Sequence, residues 1–116
     1  MRSGVGRQHR HLPAFILLSL AHGPTHGGAI HTLLSQRLNG FKSDSAAVYR
    51  TLKTLENAGE IESSWDTTQP GPARKIYSIT DAGWRKLELL QEDIQYRLGL
   101  LQNFLDAYQH LSRPPR

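Results

Sequence analysis

The sequence predicts a mainly α-helical fold with one small β-hairpin and a long C-terminal helix. A chain of 116 residues with 38% hydrophobic and 21% charged side chains is long enough for one packed domain and too short for two. Apolar residues follow helical spacing in three segments, two segments have the composition of strands, and the last segment is helical again. The predicted order is therefore three helices, two strands and a final helix.

The first two helices are expected to form the centre of the domain. Residues 12–21 are apolar on nearly every face, which is typical of a buried helix. The apolar run within them, Ala14 to Ala21, is too short to cross a bilayer, and no convincing signal-cleavage site follows it, so we expect a cytoplasmic protein. Residues 22–28, with Pro24 and three Gly, are expected to stop this helix, and His26-Gly27 is expected to be the turn that opens the next one. The second helix then follows, ends at Asn39-Gly40, and carries one apolar stripe of Ile30, Leu33, Leu34 and Leu38.

The third helix is predicted to have one buried face and one basic face. Residues 42–45 offer N-cap side chains, and Gly59 marks the end of the helix after Ala58. At 100° per residue, the buried stripe is Val48, Leu52 and Leu55. The opposite stripe faces solvent, places two basic residues one turn apart, and consists of Ala46, Arg50, Lys53 and Asn57. A partner can reach this face.

Two strands are predicted at Ile61–Asp66 and Arg74–Ile79, because both are rich in Ile, Trp and Tyr and a Pro- and Gly-containing loop separates them. The second strand opens on Arg74-Lys75, so the hairpin has a basic edge. Trp65 and Tyr77 are expected to pack at the base of this hairpin.

The final helix is predicted to begin after the cap Thr80-Asp81 and to reach about Leu111. Its apolar face is too wide for one small domain to cover, which indicates a second copy of the chain or another partner. We expect a homodimer held by the stripe Leu87, Leu90, Ile94, Leu98, Leu101, Leu105 and Tyr108.

This order of elements is that of a winged helix-turn-helix, in which the third helix enters the DNA major groove and the hairpin wing lies along the backbone or in the minor groove. The predicted organisation is a flexible basic tail over 1–11, a winged-helix domain over 12–80, a dimerisation helix over 81–111 and a disordered end over 112–116. The net charge of +4 does not by itself show a basic surface, because most of the excess lies in the tail at Arg2, Arg7 and Arg10.

The spaced motifs also resemble those of the PadR family of bacterial transcriptional regulators. These motifs are His26-Gly27, the run 45–56 with Gly59, Trp65, the segment 71–77 and Thr80-Asp81-Ala82-Gly83. The resemblance implies a homodimeric DNA-binding protein, usually a repressor, acting on a pseudo-palindromic double-stranded site. Gly28 stands where the family commonly has Tyr, and Arg50 where it commonly has Pro. The expected DNA contacts are Ser43, Ser45, Ala46, Tyr49, Arg50, Lys53, Arg74 and Lys75.

The resemblance further implies a small-molecule effector, because compact members can hold flat aromatic compounds between the two subunits. Tyr96 and Trp84 are the aromatic residues that we assign to such a site, as a hypothesis. No cofactor is expected.

Three other functions were weighed. An enzyme is not expected, because the chain has no Cys, no Walker-type phosphate loop and no plausible Ser, His and carboxylate grouping. A winged helix can instead serve as a protein-protein interaction module, although the basic third helix favours DNA. A metal-responsive regulator using His22, His26 and His31 is conceivable, but these residues do not share a helix face and no Cys joins them.

Overall fold

The computed structural model describes residues 10–38 and 44–115, and it has the predicted mainly α, winged-helix architecture. The described part measures 69 × 28 × 21 Å, because one long helix extends from a small body. In chain order the elements are α1 (Leu12–Ala21), β1 (Thr25–His26), α2 (Gly27–Arg37), α3 (Ser45–Asn57), β2 (Ile61–Asp66), β3 (Arg74–Ile79) and α4 (Asp81–Gln109).

The hydrophobic core is built around α1. Because this helix is apolar on nearly all sides, it can be covered by α2, α3 and α4 together. The largest fully buried side chains come from four elements and are Leu12, Ile16, Leu17, Leu20, Ile30, Leu34, Val48, Leu52 and Ile61. This packing confirms the buried stripe predicted for α3, where Val48 and Leu52 are inaccessible to solvent and Leu55 is 3% exposed.

The predicted hairpin belongs to a three-stranded antiparallel sheet of order β1-β3-β2. The two strands of the hairpin have the predicted bounds, and in their pairing Ile61 lies opposite Ile79 and Asp66 lies opposite Arg74. The start of α2 at His26-Gly27 agrees with the prediction, but the sequence did not predict β1, in which Thr25 and His26 pair with β3. A two-residue strand has no periodicity to detect, and its partner lies far along the chain.

The two aromatic residues expected at the base of the wing differ in burial. Tyr77 is 6% exposed and belongs to the core, as predicted. The prediction for Trp65 was wrong, because its side chain is 65% exposed. Trp65 lies near the wing-tip end of β2, and none of the described residues covers its side chain there.

The long helix α4 is anchored at its start and free along its second half. The Thr80 side chain accepts a hydrogen bond from the Gly83 amide at 3.1 Å. Gly83 lies so close to the body that a Cβ there would collide with the carbonyl oxygen of Glu60. The helix is about 44 Å long and ends at Gln109, two residues before the predicted end. Of the helices in the described ranges, none combines the length and apolarity that crossing a membrane requires.

Candidate nucleic-acid interface

Helix α3 has a fixed inner face and an exposed polar face. Asp44 caps the helix, and its carboxylate accepts a hydrogen bond from the Ala47 amide at 3.0 Å. The core contacts of the inner face hold the helix in one orientation. The predicted contact residues of the outer face are all exposed to solvent: Ser45, Ala46, Tyr49, Arg50 and Lys53. The other candidate in this region, Ser43, lies outside the described residues.

Tyr49 is held against the first residue of α2. A Cβ placed on Gly27 would lie 2.5 Å from the Tyr49 Cε1 atom and 3.0 Å from its hydroxyl oxygen. Only Gly therefore fits at this position while the ring stays in place. Tyr49 remains 48% exposed, so its ring is packed on one side and open on the other.

His26 links α2 to the wing, and sequence reasoning missed this role because it treated His26-Gly27 as a helix-start turn. The ring Nδ1 atom accepts a hydrogen bond from the Ala29 amide at 3.2 Å and so caps α2. The other ring nitrogen, Nε2, lies 3.1 Å from the Arg74 Nη1 atom. The only local sequence signal for the cap is a His directly before Gly-Gly at the start of a helix. The contact with Arg74 has no local signal, because the two residues are 48 positions apart.

These side chains line one cleft between the start of α2, the helix α3 and the strand β3. Its volume is about 340 Å³, and it brings together Tyr49, Arg74 and Lys75 from the predicted set. The lining contains three residues with basic side chains and no carboxylate; it consists of His26, Gly27, Gly28, Tyr49, Arg74, Lys75 and Tyr77. Arg50 and Lys53 do not line this cleft and extend the basic surface along α3.

Lys75 differs from Arg74 in its surroundings, because it faces α3. Its amino group lies 3.5 Å from a Glu56 carboxylate oxygen and 5.6 Å from the centre of the Tyr77 ring. The other Glu56 oxygen accepts a hydrogen bond from the Ser63 hydroxyl at 2.6 Å. The Ser63 hydrogen bond and then the Lys75 charge, acting against partial burial, hold the pKa of Glu56 below its usual value. This network braces the wing against α3.

Three of the predicted DNA-contact cations form no ion pair in the part of the chain that the structure describes. The ion pairs found there are Lys75 with Glu56 and Arg97 with Asp93. Carboxylates do lie near two of the three cations, because Asp66 is opposite Arg74 in the sheet and Glu56 interacts electrostatically with Lys53. Without an ion pair, the head groups of Arg50, Lys53 and Arg74 can still reach an external anion.

The predicted dimer stripe on α4 falls into two parts. Leu87 and Leu90 are partly buried, because they pack against the core of their own chain. Ile94 is half-buried, and from Leu98 onward every residue of the helix is exposed. The exposed members of the stripe are Leu98, Leu101, Leu105 and Tyr108, and each is 52–64% exposed.

One chain does not bring the two tentative effector residues together. Trp84 and Tyr96 are 50% and 66% exposed, and twelve helical residues separate them by about 18 Å along α4. They can line one cavity only if two protomers contribute.

The three His residues considered for metal binding are likewise dispersed. Within residues 10–38 and 44–115, no three His, Asp or Glu side chains form a group that could hold a metal ion. His26 instead caps α2 and contacts Arg74.

The comparisons with known proteins agree on one family. Residues 16–89 match the model of the transcriptional regulator PadR-like family. No significant match was found among curated proteins.

Several solved structures share the fold. A conserved protein of unknown function, described as a potential transcriptional factor, is 32% identical with a TM-score of 0.69 over 95% of this chain and 100% of its own. A regulator from Clostridium thermocellum is 21% identical, with a TM-score of 0.74 over 90% of this chain and 97% of its own. Bacillus subtilis PadR in complex with operator DNA is 22% identical, with a TM-score of 0.61 over 93% of this chain and 51% of its own. Together with the family match over most of the chain, these similarities show that the protein belongs to the PadR-like family of transcriptional regulators.

Proposed function

We propose that this PadR-like regulator binds double-stranded operator DNA through α3 and the wing formed by β2 and β3. The observation that carries the proposal is the exposed pair Arg50 and Lys53 on α3, together with exposed Arg74 on the wing, none of which forms an ion pair among the described residues. The Bacillus subtilis relative was solved with operator DNA, and the proposal extends such binding to this chain.

Each part of the surface has a distinct role in the proposal. Arg50 reads a base edge in the major groove, because a guanidinium can donate two hydrogen bonds to guanine. Lys53 and Arg74 neutralise backbone phosphates, and the Tyr49 hydroxyl donates to another. Ser45 and Ala46, at the start of α3, approach the same groove, and Ser43, two residues before α3 in the sequence, is proposed as a further contact. Lys75 contributes positive charge while its contact with Glu56 holds the wing.

The proposed active form is a homodimer that represses transcription in the cytoplasm from a pseudo-palindromic site. The second half of α4 supports this assembly, since Leu98, Leu101 and Leu105 are large apolar side chains more than half exposed in one chain. The Phe104 and Tyr108 rings, stacked with centroids 6.3 Å apart, extend the same apolar surface.

We further propose that an aromatic effector binds beside Tyr96 in the dimer and releases the DNA by changing the spacing of the two α3 helices. Two observations support this site: Tyr96 is exposed, and it lies near the middle of α4. Trp84 belongs to this site only if the partner protomer brings it there.

A protein-protein interaction module is the alternative function for the same fold. It is favoured less, because the exposed face of α3 carries the basic residues Arg50 and Lys53 in place of an acidic or apolar surface.

The deciding experiment selects binding sites for the purified protein from a random pool of duplex DNA. We expect an enriched, two-fold symmetric sequence, and binding to it that weakens steeply as salt rises. The double variant Arg50→Ala, Lys53→Ala should lose this enrichment, whereas Gln91→Ala on the exposed side of α4 should keep it. Enrichment of no sequence by the folded wild type would favour the interaction module.

A further inference from the structure

The two ring nitrogens of His26 both face hydrogen-bond donors. Nδ1 lies 3.2 Å from the Ala29 amide nitrogen, and Nε2 lies 3.1 Å from the Arg74 Nη1 atom. An imidazole with one ring hydrogen has one acceptor nitrogen, and a guanidinium has only donors. One of the two contacts is therefore a contact between two N–H groups.

The contact with Arg74 is the one that lacks an acceptor. Nδ1 faces the first turn of α2, where free backbone N–H groups favour a lone pair and disfavour another hydrogen. The ring hydrogen then lies on Nε2 and points toward Arg74. Among the described residues the guanidinium forms no ion pair, and Asp66, opposite Arg74 in the sheet, acts on it only at a longer distance.

An acceptor atom within hydrogen-bond distance of both His26 Nε2 and Arg74 Nη1 would satisfy both donors. The space for it exists, because both side chains line the 340 Å³ cleft and Gly27 and Gly28 add no side chain to it. A Cβ on Gly28 would lie only 3.4 Å from His26 Nδ1, so a larger residue there would narrow the cleft beside the ring.

The chemistry of the lining selects an anion. Lys75 and the Tyr49 hydroxyl supply further donors, and no carboxylate lines the cleft. We propose that His26 and Arg74 together bind one phosphate oxygen of the DNA backbone, with His26 acting as an uncharged donor. This inference rests on the proposed DNA-binding function and adds to it a contact residue outside α3 and the wing hairpin.

The test uses a variant that keeps the helix cap and removes the second donor. In His26→Ser the hydroxyl can still accept from the Ala29 amide, because Ser is a favoured N-cap, but nothing replaces Nε2. His26→Asn, also a strong cap, is the second variant should the first be poorly folded. His22→Ser, at an exposed His outside the cleft, is the matched control. Thermal unfolding establishes that each variant is folded.

DNA affinity is measured by fluorescence anisotropy at several salt concentrations, on the selected site and on an unrelated duplex. Loss of one hydrogen bond should weaken the His26→Ser complex about 3- to 10-fold on both duplexes, and His22→Ser should match the wild type. Because an uncharged donor displaces no counterion, the salt slope of His26→Ser should equal that of the wild type. Arg74→Ala should instead lower the slope by about one.

The outcomes separate this inference from the proposed function. Absence of salt-dependent DNA binding by the wild type would overturn both. Normal behaviour of the wild type and of Arg74→Ala, with wild-type affinity in folded His26→Ser and His26→Asn, would overturn only the role of His26. A free-phosphate ligand is tested with inorganic phosphate against chloride at equal ionic strength. If phosphate and chloride weaken DNA binding equally, the DNA backbone is supported as the source of the bound phosphate oxygen. If phosphate weakens DNA binding more than chloride does, and only in the wild type, that assignment is overturned.

Discussion

Replacing both Leu98 and Leu101 in α4 with Asp tests the proposed dimer directly. Both side chains are 63% exposed in the single chain, so the substitutions remove little packing from the folded protomer. In a two-fold symmetric dimer each substitution occurs twice, and four Leu side chains leave the interface. The variant therefore separates dimerisation from folding.

The expected loss is large compared with the free energy of association. Burying one Leu contributes about 1.5–3 kcal/mol, so four contribute about 6–12 kcal/mol. A dissociation constant of 1 μM corresponds to about 8 kcal/mol. The introduced carboxylates add the further penalty of burying unpaired charge. We therefore expect a monomer at micromolar concentration.

Sedimentation velocity measures the assembly and circular dichroism measures the fold. The matched control is Gln91→Asp, Gln95→Asp, which adds the same charge at exposed polar positions of the same helix and should remain dimeric. A Leu98→Asp, Leu101→Asp protein that sediments as a dimer would refute the interface. Loss of helical signal together with dimerisation would show that these residues support the fold of the protomer.

Three further predictions concern the body of the domain. Arg50→Ala should weaken binding to the selected site by about 1–3 kcal/mol and relax the preference at one base pair. Fluorescence anisotropy on single-base variants of the site measures both effects. Unchanged affinity would count against α3 as the recognition helix. Gly27→Ala should lower the free energy of unfolding by about 1–3 kcal/mol in urea, because the new Cβ would lie 2.5 Å from the Tyr49 ring. In a Tyr49→Ala background the same substitution should leave the free energy of unfolding unchanged. An equal loss of stability in both backgrounds would contradict the contact. The Ser63 hydrogen bond holds the pKa of Glu56 below its usual 4.5, so the ionised carboxylate of Glu56 stabilises the fold fully above pH 4.5, and this contribution is lost as the pH falls through the lowered pKa of the folded state. The unfolding free energy of Glu56→Gln should therefore fall less steeply with decreasing pH than that of the wild type. Identical pH profiles would contradict the network.

The sequence predicted the helices and the hairpin well, because their signals are local. The apolar run of α1, the stripe of Val48, Leu52 and Leu55 and the stop at Gly59 each follow from spacing within one element. Gly59 has φ of +77°, a conformation that Gly adopts without strain, so its position after α3 is readable from composition alone.

Residues distant in sequence account for what the sequence could not predict. β1 is two residues long and exists only through its pairing with β3, so it is too short to show the alternation of apolar and polar residues that predicts a strand. Its formation brings His26 beside Arg74, a contact that joins residues 48 positions apart. The same applies to Lys75, whose partner Glu56 lies on another element.

The sequence by itself therefore determined which residues are basic, which faces are apolar and where the four helices and the two strands of the hairpin lie, to within a few residues at their ends. Tertiary structure alone decided which of these residues meet. It divided the α4 stripe, turning Leu87 and Leu90 inward and leaving Leu98 and Leu101 exposed. The physical reason is that periodicity records the direction of a side chain around its own helix, whereas burial depends on which other element lies in that direction.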